Sequence, residues 1–185
     1  MSTATATLET TAAKNDTTQQ MQTLYTRLDS PLGELLLTGD GTRLQGLHMQ
    51  AGKTRMATKK GWREEPGAFA TVAQQLEEYF HGERTSFDGL DLDPKGTPFQ
   101  VRVWAELRRI PYGETISYGE LARRLDQPSA FRAVGLANGR NPIAVIIPCH
   151  RVIGANGSLT GFGGGLPNKR LLLELEAARA QPRML

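Results

Sequence analysis

The sequence changes in character at Pro94-Lys95-Gly96, and this break constrains the fold more than any other feature. Before it, from Thr23 to Met49, short apolar segments alternate with the turn formers Ser-Pro-Leu-Gly and Gly-Asp-Gly. Short segments between such turns are typical of strands, so we expect a small antiparallel sheet. After the break, the pattern is that of capped helices, so two modules of different structure are predicted.

The first module also contains a predicted helix. Apolar residues recur at helical spacing on one face before His81-Gly82 ends the pattern; they are Phe69, Val72, Leu76, Tyr79 and Phe80. We expect a loop over Gly52 to Pro66 and one more strand over Phe87 to Leu92. No residue pattern in this module points to chemistry.

The second module opens on a capping box. Thr97 is placed to cap a helix, Pro98 suits its first position, and Gln100 completes the box. The helix buries Val103, Trp104 and Leu107. It ends before Ile110-Pro111-Tyr112-Gly113.

Two short helices follow across a tight turn. Ser117 and Glu120 repeat the capping-box pattern for the first, and Ser129 is expected to cap a second over Ala130 to about Asn138. This pattern predicts a helix-turn-helix. An ordinary two-helix corner in an α-rich domain remains open on the pattern alone.

The charge of the chain is distributed unevenly. Residues 101–185 contain 12 Lys and Arg against 6 Asp and Glu, whereas residues 1–100 contain 10 against 13. A basic half is what a phosphate-binding face requires, although a solvated basic surface has the same composition. Nucleic acid is therefore a candidate partner.

The first residues are rich in Thr, Ala and Gln and have too little apolar surface to fold, so we expect a disordered tail over residues 1–22. They lack the pattern of a secretory signal, and no apolar run in the chain is long enough to cross a bilayer. A cytoplasmic protein with no membrane association is expected.

The single cysteine excludes an internal disulfide and a multi-cysteine zinc site, leaving a structural or a reactive thiol. Cys149 follows the apolar run 143–147 and Pro148, and precedes His150. A thiol needs a base or a positive charge nearby to react at neutral pH, and sequence adjacency alone does not supply the geometry. An inert buried Cys-His pair remains open at this point.

The segments around this cysteine resemble the O6-alkylguanine-DNA alkyltransferase family, the methylated-DNA–protein-cysteine methyltransferases. The resemblance covers residues 97–176. It is carried by Pro148-Cys149-His150-Arg151-Val152 together with Ile110-Pro111-Tyr112-Gly113, Ser117-Tyr118-Gly119, Arg132-Ala133-Val134-Gly135, Asn141-Pro142, the segment 159–164 and the segment 169–176.

The resemblance implies a catalytic set. Cys149 is the expected alkyl acceptor, His150 the base that takes the thiol proton through a bridging water, and Glu176 the carboxylate that orients the imidazole. Asn141 is the residue expected to brace the turn next to them. Without the resemblance, nothing in the sequence favours Glu176 over Glu174.

The resemblance also implies how DNA is bound. Tyr118 is expected to donate a hydrogen bond to N3 of the guanine, and Arg132 to enter the duplex where the damaged nucleotide has been rotated out. Small residues at Ala130, Ala133 and Gly135 would let their helix enter the minor groove. Val152, Leu159 and Gly163 are expected to line the alkyl pocket.

No cofactor and no metal are expected. The glycine-rich segment 161–165 lacks the features of a phosphate loop. Some family members hold zinc with cysteines and histidines in the N-terminal domain, but this chain offers only His48 and His81 there. A monomer is expected, with cooperative assembly on DNA left open.

Together these features predict an α+β protein with three parts: a tail (1–22), a ribonuclease H-like domain of a small sheet plus a helix (23–95), and an α-rich winged helix-turn-helix domain (96–185). The expected activity is irreversible, stoichiometric transfer of an alkyl group from O6-alkylguanine, and from O4-alkylthymine, in duplex DNA to Cys149. A non-catalytic damage-sensing DNA-binding protein and a cysteine hydrolase are the alternatives.

Overall fold

A computed structural model describes residues 22–53 and 55–180. Mixed α and β structure, with a small sheet in the first half and helices in the second, confirms the predicted fold class. Most of the expected tail lies outside the described residues. No helix within the described ranges is long and apolar enough to cross a membrane.

The three predicted strands are present as β1 (Leu24–Leu28), β2 (Leu35–Gly39) and β3 (Leu44–Met49), joined antiparallel. The expected loop over 52–66 contains one additional short strand, β4 (Arg63–Glu64), which runs parallel to β1. The strand order in the sheet is β3-β2-β1-β4.

The strand expected over Phe87 to Leu92 is absent. Leu92 alone forms a bridge, to Leu44, while Asp88 and Gly89 form a turn in which Gly89 has a φ of +75°. This turn interrupts any extended pairing. The Phe87 ring packs instead on Tyr79, with 5.1 Å between ring centroids.

Helix α1 (Ala70–His81) packs on the sheet through Val72, Leu76 and Tyr79 and ends at Gly82, which is left-handed. These are the residues that the helical spacing predicts. The apolar core that they join is continuous with the second half of the chain, where it includes Trp104 and Leu172. The two halves therefore share one core.

The second half begins with α2 (Pro98–Leu107), which has the predicted Thr97–Gln100 capping box. Two short helices, α3 (Tyr118–Arg124) and α4 (Phe131–Gly139), pack on it and on each other. A strand pair, β5 (Ile116–Ser117) with β6 (Val152–Ile153), lies beside them, and α5 (Leu166–Ala180) completes the described chain.

Two expected caps differ from the structure. Ser129 does not cap α4, because Pro128–Ala130 form a 3-10 turn and the helix begins at Phe131 without a side-chain cap. The Ser117 hydroxyl does accept from the Glu120 N–H, but the carboxylate of Glu120 binds Arg123 and Arg124 instead of completing the box. Two nearby cations attract this carboxylate more strongly than a neutral N–H does.

Strand β3 joins the two halves directly. The Leu47 N–H donates to the Pro142 carbonyl over 2.8 Å, and the Ala144 N–H donates to the Leu47 carbonyl over 3.2 Å. The sheet edge is thereby paired with the segment that leads to Cys149.

Candidate active site

Cys149 begins a buried 3-10 turn, Cys149–Arg151, and is 6% exposed. The chain reaches it through consecutive turns in which Val145 has a φ of +70°. That conformation is strained for a β-branched residue, so its neighbours must hold it in place. Asn141 does so: its side-chain NH₂ donates to the Ile147 carbonyl over 2.7 Å, and its side-chain oxygen accepts from the Ile143 N–H over 3.0 Å.

Burial and the neighbouring polar groups shift the pKa of the Cys149 thiol in opposite directions. Burial raises the pKa of Cys149. The Asn141 amide, the positive charge of Lys169 and the backbone N–H groups of Cys149 and His150 lower the pKa. Because burial dominates, the thiol rests in its protonated form and needs a base to become a nucleophile.

His150 is fully buried and pairs with Glu176, with 2.8 Å between Nε2 and Oε1. Burial lowers the pKa of the imidazole, although Glu176 opposes this effect. The neutral ring therefore donates its Nε2–H to the carboxylate. Its Nδ1 then has a free lone pair, and it has no hydrogen-bond partner among residues 22–53 and 55–180. A base is thus held next to Cys149 in the chain.

Glu176 is fully buried and charged. Burial raises the pKa of its carboxyl, but hydrogen bonds and charges from His150 and Arg151 outweigh this and hold that pKa far below its usual range. Arg151 binds both oxygens, with Nε donating to Oε2 and Nη2 to Oε1, each over 2.9 Å. The carboxylate is therefore fixed as well as charged.

Two more donors reach Glu176 from distant parts of the chain. The Gly113 N–H donates to Oε2 over 3.1 Å, and the Tyr79 hydroxyl donates to Oε1 over 2.6 Å. Gly113 has a φ of +78°, and a Cβ there would lie 2.4 Å from the Cβ of Ala180. Only glycine fits this approach.

Lys169 is a buried residue of the site that the sequence analysis did not single out. Its ammonium donates to the carbonyls of Val152 (2.6 Å) and Thr160 (3.0 Å), and burial lowers its pKa. It shares the inner face of α5 with Leu172 and Glu176. A lysine at the helical spacing of buried positions was the available signal.

A void of about 20 Å³ lies beside Cys149, and an open groove of about 680 Å³ lies next to it. Gly163 lines both. Val152 and Leu159 line neither: Val152 is fully buried in β6, with its carbonyl bound by Lys169, and Leu159 is half-buried. The first half of the chain supplies part of the wall of the void, through Leu47, His48 and Met49.

Tyr118 lines the groove, and its hydroxyl donates to the Thr160 carbonyl over 3.2 Å. Burial raises the pKa of this phenol, so it remains a donor. The loop 161–164 packs against the first half so closely that a Cβ on Gly164 would lie 2.1 Å from Sδ of Met49. Glycine is required there for that close approach.

Helix α4 presents its outer face to solvent. Arg132 and Ala133 are exposed and Gly135 is half-buried, while Val134 packs inward. Ala130, in the 3-10 turn just before the helix, is half-buried. The Arg132 guanidinium lies over the Phe131 ring, 5.8 Å from its centroid. Phe131 and Leu136 are 48% and 57% exposed, and the small-residue pattern did not identify them.

No cluster of three potential metal ligands is found in the part of the chain that the structure describes. The candidate site consists of a thiol, an imidazole and a carboxylate, with a lysine and an arginine close by.

Two family profiles match the chain: "6-O-methylguanine DNA methyltransferase, ribonuclease-like domain" over residues 23–94, and "6-O-methylguanine DNA methyltransferase, DNA binding domain" over residues 98–178. The chain is 56% identical over 156 residues to a methylated-DNA–protein-cysteine methyltransferase of Mycobacterium tuberculosis, covering 84% of this chain and 93% of the relative. It is 51% identical over 154 residues to the protein of that name from Methanosarcina acetivorans, covering 83% and 98%.

A solved structure of Mycobacterium tuberculosis OGT in complex with DNA matches with a TM-score of 0.78 and 54% identity, covering 84% of this chain and 94% of that one.

Proposed function

Because the chain belongs to the 6-O-methylguanine DNA methyltransferase family, it is a DNA-repair enzyme that transfers an alkyl group to a cysteine, and we propose that its acceptor is Cys149, activated by His150 and Glu176. One observation carries this assignment. The only cysteine of the chain directly precedes a fully buried imidazole whose Nε2 is bound to a buried carboxylate. The other ring nitrogen, Nδ1, is left as the base.

This arrangement supports the following reaction. Nδ1 of His150 takes the thiol proton through a bridging water, and Glu176 stabilises the imidazolium that forms. The thiolate attacks the alkyl carbon on O6 of guanine: the S–C bond forms, the C–O bond breaks, and its electron pair stays on the guanine, which takes up a proton. The thioether is stable, so each molecule acts once. O4-alkylthymine offers the same alkyl-oxygen chemistry.

DNA is the partner that this chemistry requires, and we assign its binding to the outer face of α4. Small residues leave space there for close approach in the minor groove: Ala133 is exposed, and Ala130 and Gly135 are half-buried. Arg132 is exposed and is free to enter the base stack. Extrusion of the damaged nucleotide is needed because O6 is inaccessible inside the duplex. The extruded base would lie in the groove that Tyr118 and Gly163 line. There, the Tyr118 hydroxyl would exchange the Thr160 carbonyl for N3 of the base.

The same proposal includes the division of the chain. Residues 23–95 form the sheet-plus-helix domain, residues 96–185 the DNA-binding and catalytic domain, and residues 1–22 a tail. The protein works in the cytoplasm without a cofactor, as a monomer, with cooperative assembly on DNA left open. The proposed chemistry needs none, because the thiol is the acceptor and the substrate supplies the alkyl group.

The test is the intact mass of the protein after incubation with a duplex that contains O6-methylguanine, with Cys149→Ala as the control. A gain of one CH₂ that maps to Cys149, in stoichiometric amount, is expected. Binding without an adduct would instead indicate a damage-sensing protein. Turnover of an ester or a peptide without DNA would indicate a hydrolase.

A further inference from the structure

We propose that Tyr79, on helix α1 in the first half of the chain, is a positioning residue for alkyl transfer: its hydroxyl holds Oε1 of Glu176, the oxygen that binds His150. This inference rests on the function proposed above. Through Glu176, it gives the first half of the chain a part in positioning the catalytic groups, although no sequence pattern there points to chemistry.

The contact is short and completely buried. The Tyr79 hydroxyl lies 2.6 Å from Oε1 of Glu176, and both side chains have no exposed surface. The same oxygen accepts from His150 Nε2 over 2.8 Å and from Arg151 Nη2 over 2.9 Å. Three donors therefore share one carboxylate oxygen, and the phenol takes part of the charge that would otherwise act on the imidazole.

The phenol cannot turn away from this carboxylate. Its ring packs edge-on against Phe80 and Tyr112, with centroids 5.5 and 5.9 Å apart, and tilted against Phe87 at 5.1 Å. Burial and the negative charge of Glu176 raise the pKa of Tyr79. The hydroxyl thus stays protonated and donates, and the position of α1 on the sheet fixes the position of Oε1.

The charged and titratable groups that act on Glu176 and on its neighbours come from several elements. Tyr79 (α1), Tyr112 (the loop after α2), and His150 and Arg151 (the 3-10 turn) interact with Glu176 itself, whereas Lys169 of α5 acts on His150 and Arg179 of α5 acts on Tyr112. Within residues 22–53 and 55–180, the Tyr79 hydroxyl is the one neutral donor besides His150 that reaches Oε1, whereas the Gly113 N–H binds the other oxygen. Removing that hydroxyl leaves more negative charge facing the imidazole. A thiolate–imidazolium pair would then form at lower pH.

Tyr79→Phe tests this directly, because phenylalanine keeps the packed ring. The matched control is Tyr112→Phe, which removes a buried hydroxyl that has no hydrogen-bond partner in the described part of the chain, from a ring in contact with Tyr79. The first readout is the rate of Cys149 alkylation by iodoacetamide as a function of pH. The second is single-turnover methyl transfer from a duplex that contains O6-methylguanine.

In Tyr79→Phe, the pH of half-maximal iodoacetamide reaction should move down by about one unit, which is the size expected for a hydrogen bond to a charged group. The plateau rate of methyl transfer should fall about tenfold, because Glu176 is held less firmly. Tyr112→Phe should change neither. A midpoint that stays in place or rises, or an unchanged plateau, overturns the proposal, and a lower melting temperature alone would make Tyr79 a packing residue.

The two proposals can fail separately. Iodoacetamide reports on the thiol without DNA, so the effect of Tyr79 on the midpoint is measurable even if no methyl group is transferred. If wild-type protein gains no methyl group from the duplex, the proposed function fails, whatever the iodoacetamide profile of Tyr79→Phe.

Discussion

Nε2 of His150 lies 2.8 Å from Oε1 of Glu176, and both side chains are fully buried. The pairing selects the ring tautomer: because Nε2 holds the proton for the carboxylate, Nδ1 is the nitrogen that can accept one. The carboxylate has a second function, since a proton taken by Nδ1 creates a buried positive charge that Glu176 offsets. A substitution that removes the charge of Glu176 but keeps the shape of its side chain separates these two functions of the carboxylate from its packing.

Glu176→Gln should slow methyl transfer at least about 100-fold, because a neutral amide cannot stabilise the imidazolium. The measurement is single-turnover transfer from a duplex that contains O6-methylguanine. Glu174→Gln is the matched control, since Glu174 is exposed on the same helix. Equal rates in the two variants would remove Glu176 from the catalytic set.

The unfolding free energy should decrease in acid. The pKa of Glu176 is lower in the folded than in the unfolded chain, so the stability it contributes is present above about pH 4.5 and is lost as pH falls further. The pKa of His150 is also lowered by burial, so below about pH 6.5 proton uptake by the unfolded chain adds to the loss.

Denaturant unfolding at a series of pH values measures this dependence. Each proton taken up on unfolding contributes a slope of about 1.4 kcal/mol per pH unit. Glu176→Gln should lose the part of the slope below pH 4.5 and keep the part that His150 contributes. An identical profile in the variant would mean that the Glu176 carboxyl has the same pKa in both states.

Lys169→Met should both destabilise the protein and raise the pKa of Cys149. Methionine fills a similar volume but leaves the Val152 carbonyl without its buried donor, at a cost of about 2 kcal/mol, whereas the Thr160 carbonyl keeps the Tyr118 hydroxyl. It also removes a positive charge that lowers the pKa of the thiol.

Urea unfolding measures the first effect of Lys169→Met, and the pH of half-maximal iodoacetamide reaction measures the second. This midpoint should rise, in the direction opposite to that expected for Tyr79→Phe. Arg170→Met, an exposed neighbour on the same helix, is the control and should change neither quantity. A fall in the midpoint of Lys169→Met would contradict the electrostatic role of the lysine.

Arg132→Ala should slow transfer from duplex DNA more than reaction with free O6-benzylguanine, because only the duplex requires extrusion of a nucleotide. Arg140→Ala removes the same charge from the end of the same helix. It should weaken DNA binding without lowering the rate at saturating DNA. Equal losses on the duplex and the free base would refute the extrusion role of Arg132.

Much of the fold follows from short-range patterns. The three main strands, α1 with its end at Gly82, and the Thr97 capping box were predictable because they depend on residues a few positions apart. Two expectations failed because they relied on local composition alone. Ser129 is a residue type that commonly caps helices, but it lies within the 3-10 turn Pro128–Ala130. Residues 87–92 have the composition of a strand, but Phe87 packs on Tyr79 instead of extending into the sheet.

The sequence by itself determined that one thiol is available and that it follows a buried run and precedes a histidine; the motifs around it indicated the family. Only the tertiary structure decided which groups surround that thiol. Tyr79 and Glu176 are 97 positions apart, and β3 meets the Cys149 segment through Leu47 and Pro142. Such contacts depend on how elements pack around a shared core, and no local spacing encodes that packing. The short distance between His150 and Glu176 and the burial of Lys169 come from the same packing.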